Sequence, residues 1–185
     1  MKKKRFVIGV TGASGIIYAE RLIQILAPIT EIHLIISDTA SLIAQDERIS
    51  FDKFPVIMHD NRNLAAPVAS GSFQYEGMII IPCSMKTLAA VTSGVSSNLI
   101  TRCADVALKE RRTCILLLRE NPLSRIHMRN MIEAYDAGAT IMMANPPFYH
   151  HPETIADLVD AVIARILDHL GVNHSISERW SGFDA

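Results

Sequence analysis

The segment Gly9-Val10-Thr11-Gly12-Ala13-Ser14-Gly15 follows an apolar run, Phe6-Val7-Ile8, and precedes apolar residues at helical spacing: Ile16, Ala19, Ile23 and Leu26. The pattern predicts a strand, a tight glycine turn and a helix N-terminus. Free N–H groups at such a start and the positive end of the helix dipole attract an anion, and glycines let a phosphate approach the main chain. Thr11 stands where a dinucleotide fingerprint has its second glycine, and Ile16 stands where a P-loop has lysine, so NAD and ATP are disfavoured. A purely structural turn, with Ser14 as helix cap, explains the same residues. Pro82-Cys83-Ser84-Met85-Lys86-Thr87 offers a second hydroxyl-rich helix start, with Ser84 as a cap on the structural reading. Two such starts on one edge favour a ligand with one phosphate monoester on a polar body, such as a mononucleotide.

Arg119-Glu120 comes directly after a buried apolar strand, where a charged pair can meet a ligand or form an ordinary surface ion pair. Lys109, Arg111 and Arg112 close a helix, where cations complement the dipole without further duty. Arg165 lies more than a quarter turn from the centre of the last helix's apolar stripe. In a monomer it should face water, or else reach a neighbouring subunit. Tyr149 could donate to a phosphate or pack its ring. The adjacent His150-His151 have poor metal-ligand spacing and no acidic or cysteine cluster beside them, so no metal is expected.

The elements that must position these residues alternate. Strands are expected at 6–8, 31–36, 78–81, 113–118 and 140–143, with a weaker one at 54–58. Helices are expected after residue 16 and at 39–46, from Ser84, and at 98–109, 124–136 and 153–170. The last carries the stripe Ile155, Leu158, Val159, Val162, Ile163, Ile166, Leu167 and Leu170, and a tail follows from about residue 172. Residues 66–72 have loop composition. Alternation with strands apolar on both faces implies a three-layer α/β/α fold around a mostly parallel sheet. Ligands of such sheets bind beyond the carboxyl ends of the strands. Five strand ends, at 9–15, Ser37-Asp38, 82–87, 119–122 and 145–149, then share one edge.

At 185 residues, with 49% hydrophobic and 20% charged residues, the chain suits one soluble domain spanning 1–185. A formal net charge of −1 gives no reason to expect nucleic acid or an anionic membrane. The apolar runs fall far short of the roughly 20 residues that span a bilayer. The basic start is not followed by an unbroken apolar stretch, and the three cysteines lack paired spacing, so a cytoplasmic protein with reduced thiols is expected.

Five ordered motifs carry a resemblance over nearly the whole chain. They are Gly-x-Thr-Gly-Ala-Ser-Gly (9–15), Pro-Cys-Ser-Met-Lys-Thr-Leu-Ala (82–89), Asn-Leu-Ile-x-Arg-x-Ala-Asp-Val-x-Leu-Lys-Glu-Arg-Arg (98–112), Arg-Glu-x-Pro-Leu (119–123) and Phe-Tyr-His-x-Pro (148–152). Together they resemble the flavin prenyltransferases, the UbiX-type proteins. The resemblance implies a flavodoxin-like or Rossmann-like domain in a homo-oligomer, a dodecamer, with sites between subunits. It implies alkylation of reduced FMN by dimethylallyl phosphate at N5 and then C6, giving prenylated FMN for a UbiD-type decarboxylase. It assigns FMN to Gly12, Ala13, Ser14, Ser37, Ser84, Met85, Lys86, Thr87 and Arg119. Lys109, Arg119, Tyr149 and Arg165 would bind the prenyl phosphate, with Tyr149 and Arg165 from a neighbouring chain and Trp180 near the prenyl pocket. Glu120 would handle protons at the leaving phosphate, Glu47 would assist near N5 and C6, and Ser14 and Lys109 complete the implied catalytic set. Cations and hydroxyls would then replace the metal ion of other prenyl transfers. The stretch between Glu47 and Ala66 is shorter than in many members. A flavin-dependent cysteine decarboxylase of the same fold and a non-catalytic FMN carrier are the alternatives; Glu120 and Lys109 argue against the carrier, and Arg119, Tyr149 and Arg165 against the decarboxylase.

Overall fold

In the computed structural model, which describes residues 3–180 and 182, six strands pair side by side. They are β1 (Arg5–Val10), β2 (Glu31–Ile36), β3 (Ile57–His59), β4 (Gly77–Cys83), β5 (Thr113–Leu118) and β6 (Thr140–Met143). All pairings are parallel, in the order β3-β2-β1-β4-β5-β6. This is the doubly wound order, in which the chain leaves β1 toward one side and resumes at β4 on the other. The carboxyl ends of β1 and β4 therefore flank the crevice at the switch point.

Alternation along each strand feeds two cores. Phe6, Ile8 and Val10 face α1 (Ile16–Leu26), α2 (Asp38–Asp46) and α6 (Ile155–His169). Val7, Met78 and Ile80 face α3 (Met85–Thr92), α4 (Leu99–Lys109) and α5 (Arg125–Asp136). Each fully buried Ile or Leu in these layers contributes about 1.5–3 kcal/mol. Parallel strands buried on both faces need their crossovers as covering layers, and the helices supply them.

Three expectations shift. The weak strand at 54–58 forms instead at Ile57–His59 on the sheet edge, and the loop after it contains a 3₁₀ turn, Pro67–Ala69. The last helix begins at Ile155, capped by Thr154, and leaves the Ile155 side chain 71% exposed, so the apolar stripe starts later than its spacing suggested. On α5 only Ala134 is buried, while Ile126, Ile132 and Tyr135 lie exposed. All three cysteines are free and buried. Among the described residues, no helix is long and apolar enough to cross a membrane, and no group of three or more His, Cys, Asp or Glu is placed to hold a metal ion.

Candidate functional site

Thr11 explains why the glycine pattern departs from a dinucleotide fingerprint. Its side chain is buried between the ends of β1 and β4, donating from Oγ1 to the Pro82 carbonyl at 2.9 Å and accepting from the Ser84 N–H at 2.8 Å. The Thr11 N–H also donates to the Pro82 carbonyl, at 3.2 Å. A glycine could make only the last of these bonds. The hydroxyl stitches the two switch-point loops and sets where Ser84 stands. Ser84 then caps α3, accepting from the Thr87 N–H at 3.3 Å, with the two side-chain hydroxyls 3.1 Å apart. Gly12 is needed for close approach, since a Cβ there would lie 2.6 Å from Thr39 Cγ2.

The first helix start differs from expectation. Its cap is Gly15, in the left-handed region at φ 104°, and no side chain of the cap residue serves it, so Ser14 is not the cap. Instead the Glu47 carboxylate accepts from the Gly15 and Ile16 N–H groups, each at 2.8 Å. The anion attracted by the α1 dipole is thus one of the chain's own, and the idea that this turn receives a ligand phosphate on those groups is corrected. Glu47 closes α2 as its C-terminal cap and fixes the 12–15 loop rather than lining the cleft.

The cleft at the switch point has a volume of about 460 Å³. Gly12, Ser37, Ser84, Met85, Lys86 and Thr87 line it as expected, and so does Glu120. Ala13, Ser14 and Arg119 lie beside it rather than in its lining; the Arg119 Nε donates to the Ser14 carbonyl at 3.1 Å and ties the end of β5 to the first loop. Glu120 accepts the Asn121 N–H at 3.1 Å, and the ion pair with Arg119 considered from sequence is not among those of the described residues. Asn61, Asn98 and Thr101 also contribute and were missed. Asn98 and Thr101 form a capping box on α4, a spacing that was readable. Asn61 accepts the Leu99 N–H on its carbonyl at 2.8 Å and the Ile100 N–H on its side chain at 3.2 Å, a contact from a loop with no local signature.

A second cleft, of about 330 Å³, gathers Tyr149, Arg165 and Trp180 between α6 and the tail. Trp180 lies edge-on to Tyr149, ring centroids 5.2 Å apart. The Arg165 side chain is 61% exposed, as its helical position required, and donates to Asp168 at 2.7 Å. Lys109 is in neither place. It ends α4, bonded to Glu110 at 2.6 Å, and lines a third hollow with Arg111, Arg112 and Gly138. At 1.5 Å per residue it lies roughly 12 Å along the helix from Thr101, at the opposite edge of the sheet.

The Flavoprotein family model matches residues 1–167. The flavin prenyltransferase UbiX of Methanocaldococcus jannaschii is 40% identical over 181 residues, 95% of this chain and 98% of the relative. The chain belongs to the flavin prenyltransferase family. Among solved structures, AnUbiX (PadA1) in complex with FMN and dimethylallyl pyrophosphate matches this prenyltransferase with TM-score 0.92 and 42% identity, covering 99% of this chain and 100% of that one. A dodecameric FMN-dependent UbiX-like decarboxylase from Escherichia coli O157:H7 matches with TM-score 0.91 and 40% identity, covering 96% and 100%. The switch-point cleft of this flavin prenyltransferase fits a mononucleotide: its volume falls in the usual ligand range, and Lys86 and the hydroxyls of Ser84 and Thr87 surround a helix start whose first-turn N–H groups have no intrahelical partner.

Proposed function

We propose that this protein joins the dimethylallyl group of dimethylallyl phosphate to N5 and C6 of reduced FMN, at sites completed between copies of the chain. The observation that carries the second half is the separation of the residues. Gly12, Ser37, Ser84, Met85, Lys86 and Thr87 of the flavin set line one cleft, Tyr149, Arg165 and Trp180 another, and Lys109 a third. A neighbouring copy can bring the second and third sets to the first. The exposed apolar residues of α5, Ile126, Ile132 and Tyr135, offer surface for such contacts, and a dodecamer, the state of the E. coli relative, is the assembly we assign.

In this reading the α3 start, Ser84, Thr87 and Lys86 hold FMN, with Gly12 and Ser37 on the facing wall and Ala13, Ser14 and Arg119 at the rim. Reduced FMN supplies the nucleophilic N5 and C6. As N5 bonds to the allylic carbon and gives up its proton, the C–O bond breaks with its electron pair leaving on phosphate. In the second step the prenyl double bond takes up a proton, and C6 bonds to the resulting cationic carbon and releases its own proton. Arg165 and Tyr149, with Lys109 from another copy and Arg119 beside the cleft, neutralise the charge on the phosphate, which is the work a metal ion does elsewhere. Glu120, on the cleft wall, exchanges a proton with the departing phosphate, and Glu47 keeps the Ser14 loop in register next to it. The interface excludes water from the allylic carbon. A UbiD-type decarboxylase is the recipient of the prenylated flavin, and the cytoplasm is the compartment we assign.

Anaerobic incubation with reduced FMN and dimethylallyl phosphate, followed by mass analysis of the flavin, tests the reaction. A flavin heavier by one dimethylallyl unit is expected. Unchanged flavin mass from protein that binds FMN contradicts it, and a parallel run with the pyrophosphate separates the two donors.

A further inference from the structure

Asp168 belongs to no motif read from the sequence, yet it is the hub of the Tyr149–Arg165 cleft. Its Oδ2 accepts from Arg165 Nη1 at 2.7 Å, and its Oδ1 accepts from Arg179 Nη2 at 2.7 Å. Arg179 Nη1 reaches Oδ2 at 3.4 Å, and the His174 Nε2 lies 3.2 Å from Oδ1. The Asp168 side chain is 21% exposed and that of His174 only 4%. One carboxylate therefore fastens a guanidinium on α6 and two residues of the tail.

The arrangement answers two physical needs. Two guanidiniums in one cleft repel each other and each has several rotamers in water, so neither would stay in place without an anion between them. Charge-assisted bonds from a single carboxylate hold both in fixed positions. The second need is the tail: among the described residues no regular element follows α6, and while Val172 and Ile176 pack against the core, His174 and Arg179 bind the tail to that helix through Asp168. Arg179 immediately precedes Trp180, whose ring closes on Tyr149.

We infer that Asp168 is a positioning residue for the prenyl phosphate: it aims Arg165 and, through Arg179 and His174, docks the tail that seats Trp180 against Tyr149. This rests on the reading of Tyr149 and Arg165 as the phosphate-binding half of the site.

Trp180 is the only tryptophan of the chain, so its emission reports tail docking with no substrate present. The experiment compares Asp168→Asn, Asp168→Glu and Arg179→Gln with the wild type, as full-length oligomers, by tryptophan emission and by prenyl-transfer kinetics. Asp168→Asn should shift the emission to the red and raise KM for dimethylallyl phosphate about tenfold, within the coupling expected of neighbours in one charge network. Its kcat should fall as well, by less than on removing Arg165, its FMN affinity should not change, and Asp168→Glu should recover part of the loss. Arg179→Gln leaves the Asp168–Arg165 bond intact and should show the emission shift with a smaller rise in KM. Wild-type emission and KM in Asp168→Asn overturn the inference, as does an emission shift with unchanged KM, which would make Asp168 a structural tether alone. If Asp168→Asn does not fold, Arg179→Gln decides, and wild-type values there overturn it. A wild-type protein that binds FMN but leaves its mass unchanged overturns the prenyl-transfer reading itself, while the emission still tests the docking.

Discussion

The switch-point cleft and the tail cleft are built by different means. The first is made of strand ends, helix caps and main-chain groups held by short-range geometry: Thr11 stitches β1 to β4, Ser84 caps α3, and Glu47 caps α1. The second relies on side-chain charge, with Asp168 joining α6 to a tail whose described residues form no regular element. A parallel sheet places the first kind of site wherever its topology reverses. The second kind depends on a few ion pairs on an exposed surface, and so suits a half-site whose partner is another copy of the chain.

That contrast can be broken by removing one cleft's function while sparing the other's. The largest effect is expected from Arg165→Ala, which should lower prenyl transfer by about 10²- to 10³-fold, the scale for losing one charge-stabilising donor, with FMN affinity unchanged. Steady-state turnover and FMN titration check it; a parallel loss of FMN binding would merge the two clefts. Thr11→Val is the reciprocal change. It leaves the Ser84 N–H without its buried partner, at a cost of about 1–3 kcal/mol. Urea denaturation should show that loss and FMN should bind more weakly, whereas Trp180 emission should not move. Glu47→Gln keeps one good acceptor for the α1 start and loses the charge that complements the dipole, so a smaller destabilisation of about 0.5–2 kcal/mol is expected by thermal melting.

The smallest effect concerns pH. The Arg179 hydrogen bond, more than any other influence, holds the Asp168 carboxyl below its ordinary range, and His174 adds to this while burial opposes it. A carboxyl with a depressed folded pKa contributes stability above its unfolded value, and that contribution is lost as pH falls through the folded value. Tail docking should thus persist down to about pH 4, near the ordinary aspartate value, and give way only in stronger acid. A Trp180 emission titration with its midpoint above that range would separate tail docking from Asp168 ionisation.

Much of the flavin cleft was legible because its signals are local. Strand periodicity, the Ser84 cap and the polar strand ends gave the sheet edge, and seven residues that the family resemblance assigned to the site, Gly12, Ser37, Ser84, Met85, Lys86, Thr87 and Glu120, line the cleft there. The parts that were not legible depend on contacts distant in sequence. Nothing near Glu47 announces that its carboxylate will take the N–H groups that a ligand phosphate was expected to use. Asn61 reaches the α4 start across 39 positions to Ile100, from the stretch with the weakest pattern. Arg165 was correctly placed facing water, yet its partner Asp168, three residues on, gave no sign of also anchoring Arg179. Lys109 shares a motif with Asn98 and Thr101, but α4 carries it to the other edge of the sheet, so motif membership did not mean one cavity.

Completion of the site between copies is most directly tested by mixed assembly of two inactive variants, Arg165→Ala and Glu120→Ala. Each alone should be nearly inactive. When the two are unfolded or dissociated together and reassembled, prenyl transfer should reappear at a fraction of wild type, because some sites draw Glu120 from one variant and Arg165 from the other. Mixed oligomers that form but recover no activity would contradict the account and place Arg165 in the same chain's site or outside it altogether.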